Sequence, residues 1–116
     1  MELNYHHIGI PTGEVREDEG YLEGSGVHFS GYDRSAYGVE WLRFDEDSPL
    51  PEVVKTVPHV AFQVDDVREA VQGKKVIVEP NSPTEGILVA FIEENGAPIE
   101  FIQITSSEEQ VFTRRE

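Results

Sequence analysis

Hydrophobic and polar residues alternate along several short segments of the chain, as they do in β-strands with one buried and one exposed face. Glycine and proline residues separate these segments, which favours turns between them. The pattern predicts strands over residues 5–11, 27–30, 37–44, 57–64, 75–78, 87–93 and 98–105. Between the last two strands, the dipeptide Asn95-Gly96 is typical of a type I′ hairpin turn.

Two other segments have the pattern of short helices. Residues 14–19 allow at most one or two helical turns. Residues 66–72 are predicted to form a longer helix, which Asp65 or Asp66 can cap at its start and Gly73 ends. The sequence therefore predicts a helix after the first strand and another after the fourth.

The predicted elements occur in the same order in two halves of the chain, about residues 1–51 and 52–105, and each half is interpreted as a βαβββ module, of which the first is shortened and shows three strands in its pattern. A module of under 60 residues buries too little surface to be stable alone, so the two modules are expected to share one core. This predicts a single α+β domain over residues 1–105. Residues 106–116 are polar and lack an apolar period, which indicates a tail.

Composition narrows the classes of function. With 38% hydrophobic and 28% charged residues, the chain has the composition of a globular domain. A formal net charge of -14 repels polyanions, so we expect no nucleic-acid partner. The sequence contains neither an apolar run of about 18 residues nor a signal peptide at its N-terminus, which predicts no membrane association and a cytoplasmic location. Because there is no cysteine, any metal ligands must be nitrogen or oxygen atoms.

The two halves also repeat each other in detail. The segment His7-Ile-Gly-Ile-Pro11 is echoed by His59-Val-Ala-Phe-Gln63, and Val39–Phe44 is echoed by Ile99–Ile104. Histidine and glutamate within apolar strands are costly to bury unless they are paired or bind a metal. Two imidazoles and two carboxylates around one divalent cation would satisfy all four groups. The predicted ligands are His7, Glu40, His59 and Glu100.

These segments resemble the vicinal oxygen chelate superfamily, which includes glyoxalases, bleomycin-resistance proteins and extradiol dioxygenases. The resemblance spans about residues 4–105 and is carried most specifically by Pro58–Asp66 and by Ala90–Ile102. It implies a curved mixed sheet around a cavity, with ligands on the first and last strand of each module. The ligand set is similar to that of glyoxalase I, whereas extradiol dioxygenases use two histidines and one glutamate, so Glu40 discriminates between them.

The resemblance also implies an activity. One divalent ion, with nickel, cobalt, manganese or zinc expected and iron as the alternative, would chelate adjacent oxygens of a small carbonyl substrate and stabilise an enediolate-like intermediate. The chain would then be an isomerase or lyase of glyoxalase type, with Glu100 or Glu40 as the base. Two alternatives stay open: an iron-dependent extradiol-type dioxygenase, and a protein that binds a small molecule without catalysis. A homodimer is expected in each case.

Strand alternation assigns the other candidates. Gln63, Tyr37 and His28 are predicted to contact substrate in the pocket, although His28 also reads as an ordinary strand residue. Small residues at Gly9 and Ala61 are expected to leave room for a ligand.

The same alternation predicts which side chains face away from the metal ligands. In a regular strand, His6 points away from His7. Four apolar side chains are expected to pack on that opposite face, namely Ile8, Trp41, Phe62 and Phe101.

Overall fold

Eight strands of the chain form one curved mixed sheet in the computed structural model, which describes residues 1–105. The tail predicted for residues 106–116 lies outside the described residues. The strands are β1 (Asn4–Pro11), β2 (Gly20–Leu22), β3 (Val27–Ser30), β4 (Val39–Phe44), β5 (His59–Gln63), β6 (Val76–Asn81), β7 (Ile87–Glu94) and β8 (Ala97–Ile104). The α-helices are α1 (Glu52–Thr56) and α2 (Val67–Ala70), and short 3-10 turns cover Glu23–Ser25 and Tyr32–Arg34.

The sheet is built symmetrically about its two central strands. Its order is β2-β3-β4-β1-β5-β8-β7-β6, with β1 antiparallel to β5. Strand β1 runs parallel to β4 as β5 runs parallel to β8, and Gly9 faces Glu40 as Ala61 faces Glu100. The sequence repeat is therefore a repeat in space, and the predicted α+β fold with a curved mixed sheet around a cavity is confirmed.

The first half contains no α-helix between β1 and β2, so the helix predicted over residues 14–19 is wrong. This segment has charged residues but no apolar stripe to bury, and its side chains make contacts that need no helix. The Arg16 guanidinium lies 5.1 Å from the centre of the Trp41 ring and so covers that ring. Trp41 is on the outer face of the sheet, which is the face opposite the predicted ligands. Arg43 donates two hydrogen bonds to the Glu19 carboxylate, at 3.0 and 2.7 Å.

The second half has the predicted βαβββ order. Helix α2 is shorter than expected, but the Asp66 side chain caps it by accepting a hydrogen bond from the Glu69 amide at 3.1 Å. Helix α2 packs on the outer face of the sheet, and the side chains that meet there form the main core. Phe62 packs against this core. This core consists of Val64, Val67, Ala90, Ile92 and Phe101. The outer-face positions predicted for Phe62 and Phe101 are thus confirmed.

The turn predicted at Asn95-Gly96 joins β7 to β8. Both residues have positive φ, 52° and 85°, as a type I′ turn requires. This two-residue turn pairs β7 with β8 along its full length and so places Phe91 directly opposite Glu100. Phe91 and Glu100 both line a cavity on the inner face of the sheet.

Candidate metal centre

A β-bulge in β1 positions two consecutive histidines. Tyr5 pairs with Phe62 and His7 with the neighbouring Ala61, so His6 is an extra residue in the strand. Both histidines are buried, and their Nδ1 atoms lie 2.8 Å apart. The expectation that His6 points away from His7 is wrong, because it assumed a regular strand.

His7 and His59 meet across the two central strands and share one carboxylate. His7 Nε2 lies 3.2 Å from Glu100 Oε1, and His59 Nε2 lies 3.0 Å from the same oxygen. One ligand atom from each of these three residues lies within 4.8 Å of the other two, and all three residues are buried. The structure therefore brings together three of the four predicted ligands as one compact group.

Glu40 adjoins this group through His7. Its Oε1 lies 3.6 Å from His7 Nε2, and the residue is buried in the same cavity lining. It does not belong to the compact group of His7, His59 and Glu100. All four residues nevertheless come from one chain, two from each half.

The Glu100 carboxylate is held in its ionised form. Burial favours the neutral acid, but hydrogen bonds from His59 and His7 outweigh burial and hold the pKa of Glu100 below its usual range. An ionised carboxylate is the form that binds a cation.

Gly9 determines where the His59 ring lies. A Cβ atom at Gly9 would be 2.3 Å from His59 Cε1, so the ring occupies the space that a side chain would need. The room expected at Gly9 for a ligand is thus filled by His59. The Phe91 ring contacts the same imidazole edge-on, with 5.0 Å between the ring centres. The buried His59 Nδ1 atom has no hydrogen-bond partner among residues 1–105.

A cavity of about 250 Å³ opens beside the candidate ligands. Strands from both halves and the segment leading into β5 contribute to its lining. Apart from the four predicted ligands, the lining consists of Tyr21, Leu22, Ser25, Val27, Phe29, Leu42, Phe44, Leu50, Val54, Val78, Asn81, Pro83, Thr84, Ile87, Val89, Phe91 and Ile102.

Gln63, Tyr37 and His28, predicted as substrate contacts, do not line this cavity. Tyr37 is 80% exposed, and its carbonyl oxygen accepts a hydrogen bond from Tyr5. The neighbours of His28 in β3, Val27 and Phe29, line the cavity, so the His28 side chain points to the opposite face of the strand. Its Nε2 atom lies 3.0 Å from Asp45 Oδ1. Gln63 lies at the end of β5, opposite Asn4.

The donor set fits a divalent cation. Ligand atoms bound about 2.1 Å from one ion lie roughly 3.0 to 3.4 Å apart in octahedral or tetrahedral geometry. The separations between Glu100 and the two histidines match this range. Imidazole nitrogens with carboxylate oxygens suit zinc, iron, nickel and related metals.

The curved eight-stranded mixed sheet, with a cavity on its inner face, is a glyoxalase-like α+β fold. Two solved structures share the fold. A hypothetical protein, BH1468 from Bacillus halodurans C-125, matches with a TM-score of 0.72 and 22% identity over 94% of this chain and 99% of that one. Methylmalonyl-CoA epimerase from Mycobacterium tuberculosis matches with a TM-score of 0.57 and 19% identity over 90% of this chain and 88% of that one.

At these identities the similarity establishes the fold alone. No family model and no curated protein sequence matches the chain. Within residues 1–105, the helices are too short and too polar for any of them to cross a bilayer.

Proposed function

We propose that the protein is a divalent-metal-dependent isomerase or lyase of glyoxalase type that acts on a small carbonyl substrate. The observation that carries this proposal is the buried group of His7, His59 and Glu100, which strands β1, β5 and β8 bring together beside a cavity. The fold shared with a methylmalonyl-CoA epimerase supports an isomerase, because that neighbour is named for an isomerisation.

His7, His59 and Glu100 would hold the metal, and Glu40 would complete the set or lie beside it. When bound, the metal would polarise a substrate carbonyl and stabilise the oxyanion of an enediolate-like species. Three protein ligands leave positions open for two adjacent substrate oxygens.

We assign the general base to Glu40 rather than Glu100. Glu100 Oε1 contacts both imidazoles, at 3.2 and 3.0 Å, so its proton affinity is already lowered. Glu40 contacts His7 at the longer distance of 3.6 Å and also lines the cavity. A carboxylate in that position can accept a proton from the carbon next to the polarised carbonyl and return it.

Deuterium exchange tests this assignment. Metal-loaded protein in D₂O should incorporate deuterium next to the carbonyl of small α-hydroxyketones, as measured by NMR. Glu40→Gln should lower the exchange rate at least about 100-fold while the bound metal remains, since general bases contribute 10²–10⁴-fold. Glu52→Gln, at an exposed carboxylate on α1, is the matched control and should exchange at the normal rate.

If some ketones exchange with the unmodified protein and exchange equally fast with Glu40→Gln, this result would contradict Glu40 as the base. Failure of every ketone to exchange, despite bound metal, would contradict the isomerase or lyase proposal.

An iron-dependent ring-cleaving oxygenase is the second candidate. It is favoured by one observation: the compact group is two histidines and one carboxylate, without Glu40. That set is typical of non-haem iron oxygenases. Oxygen consumption by the Fe(II)-loaded protein with catechols would support this candidate, whereas deuterium exchange with Zn(II) or Mn(II) and no oxygen uptake would exclude it.

A further inference from the structure

Apolar walls extend from the candidate ligands in both halves of the chain. Along β4, Leu42 follows Glu40 on the same face, and it pairs with Phe29 of β3. In the second half, Ile102 follows Glu100 along β8 and pairs with Val89 of β7. The two walls are therefore equivalent under the symmetry of the sheet.

The segment that joins the halves adds to this apolar lining. Leu50 and Val54 contribute from the connection that contains α1, and Val54 is almost fully buried. The cavity volume of about 250 Å³ exceeds the roughly 150 Å³ of an apolar cavity that takes benzene. A ring with a short substituent therefore fits between the walls.

The charges in the lining disfavour an anionic body. Glu40 and Glu100 are the acidic residues of the lining, and within residues 1–105 no lysine or arginine contributes to it. Arg43, next to Leu42 in β4, pairs with Glu19 on the other face of the strand. A phosphate or carboxylate remote from the metal would be desolvated there without a compensating positive charge from the described part of the chain.

We propose that the substrate joins its oxygen-bearing end to an uncharged apolar body about the size of an aromatic ring. This inference rests on the proposed function, because the metal ligands fix which end of the substrate carries the oxygens. It narrows the substrate from small oxygen-rich carbonyl compounds in general to those with one polar end and one apolar end.

Three hydroxamic acids with the same chelating group test the proposal. Acetohydroxamic acid carries a methyl group, benzohydroxamic acid a phenyl ring, and 4-carboxybenzohydroxamic acid a ring with a remote negative charge. Their affinities for the full-length, zinc-loaded protein are measured by isothermal titration calorimetry.

Benzohydroxamic acid should bind at least about 10-fold more tightly than the other two, because its ring buries apolar surface and needs no charged partner. Equal binding of the methyl and phenyl compounds would overturn the proposal. Tight binding of the carboxylated ring would overturn it as well.

The same titrations on metal-free protein separate this inference from the proposed function. If zinc strengthens binding but the methyl and phenyl compounds bind with equal affinity, the result supports a metal-chelating site and contradicts the apolar body of the substrate. Binding that prefers the uncharged ring but ignores zinc supports the apolar body and contradicts the metal chemistry. If none of the three compounds binds either form, both proposals fail.

A wall variant provides an independent check. Val89→Thr keeps the side-chain shape and replaces one methyl group of the wall by a hydroxyl, so benzohydroxamic acid should bind about 3- to 10-fold more weakly and acetohydroxamic acid equally well. Val60→Thr is the matched control, since Val60 lies between His59 and Ala61 and faces away from the cavity. An equal loss for both compounds in Val89→Thr would contradict the proposed position of the ring.

Discussion

Gly9 illustrates how one absent side chain positions a ligand. The His59 imidazole occupies the space where a Cβ atom at residue 9 would lie, 2.3 Å from Cε1. Because the atom in contact belongs to a buried ring, the ring must move when a methyl group is added. Displacement of the ring would move Nε2 away from Glu100 and so disturb the candidate metal site.

Gly9→Ala should therefore lower zinc affinity at least about 10-fold and the free energy of unfolding by about 1–3 kcal/mol, the usual cost of overpacking. Calorimetric titration and chemical denaturation measure the two effects. Gly13→Ala is the matched control, because a Cβ at Gly13 meets no atom within 4 Å. Unchanged zinc affinity in Gly9→Ala would show that the contact with His59 does not fix the ring.

His6 contacts the His7 ring at Nδ1, whereas Glu100 lies near Nε2 of the same ring. The Nδ1 atoms of the two rings are 2.8 Å apart, and His6 stacks on Tyr32 with 5.1 Å between ring centres. A hydrogen bond at Nδ1 directs Nε2 of His7 to Glu100 and the cavity, as hydrogen bonds behind metal-bound histidines commonly do.

His6→Phe should keep the stacking and remove the hydrogen bond, and so lower zinc affinity about 10- to 100-fold. His6→Asn places an amide near the former Nδ1 position and should restore most of the affinity. NMR of the His7 ring nitrogens reports which of the two carries the proton in each protein. Wild-type affinity and an unchanged His7 tautomer in His6→Phe would contradict the role of His6.

The sequence predicted the four candidate ligands but not His6 or the details of the pocket wall. The sequence predicted His7, Glu40, His59 and Glu100 from strand alternation combined with the repeat, and the repeat is present in the structure as the equivalent pairing of β1 with β4 and of β5 with β8. A bulge shifts the alternation of a strand by one residue. Its position depends on how the strand pairs with its neighbour, and the periodicity of one segment carries no information about that pairing.

At the scale of elements, an ion pair takes the place of the helix missing from the first half. Glu19 ends the segment between β1 and β2, and its carboxylate accepts two hydrogen bonds from Arg43 of β4. The Glu19 side chain is well shielded, with 11% of its surface exposed. This pair ties the connection to the edge of the sheet formed by β2, β3 and β4.

The pH dependence of stability tests this ion pair. The hydrogen bond from Arg43 is the main cause that lowers the pKa of Glu19 to about 2 from its usual 4.5. Because the pKa is lowered in the folded state, the stabilisation is fully present above pH 4.5 and is lost as the pH falls from about 4.5 to about 2.

Glu19→Gln should therefore lower the free energy of unfolding by about 1–3 kcal/mol at pH 7 and by progressively less toward pH 2. Urea denaturation across that range measures the difference. Arg34→Gln disrupts the exposed pair of Arg34 with Asp18 and should change stability by less than about 0.5 kcal/mol. A pH-independent loss in Glu19→Gln would contradict the lowered pKa.

The length and type of elements were less predictable than their order. Asp66, Gly73 and the turn at Asn95-Gly96 act locally, so the sequence located α2 and the last hairpin. Strand β2 has only three residues and forms through pairing with β3. Such tertiary pairing has no signal in a single short segment.

At the scale of the whole molecule, the fusion of two halves makes the site. Each half supplies one histidine and one glutamate, and the antiparallel contact of β1 with β5 brings His7 and His59 to 5.4 Å between ring centres. The cavity lies between walls from both halves. Neither half alone contains the compact group, because His7 belongs to the first half whereas His59 and Glu100 belong to the second.

Metal titration of the purified 116-residue chain tests whether His7, His59 and Glu100 hold a divalent cation. Calorimetry with zinc, nickel, cobalt or manganese should show about one ion per chain, and His59→Ala should lower the affinity at least about 100-fold because it removes a ligand. His28→Ala is the matched control, since His28 pairs with Asp45 away from the cavity, and it should bind as the unmodified protein does. A protein that binds none of these metals, or that loses as much affinity in His28→Ala as in His59→Ala, would contradict a metal site at His7, His59 and Glu100.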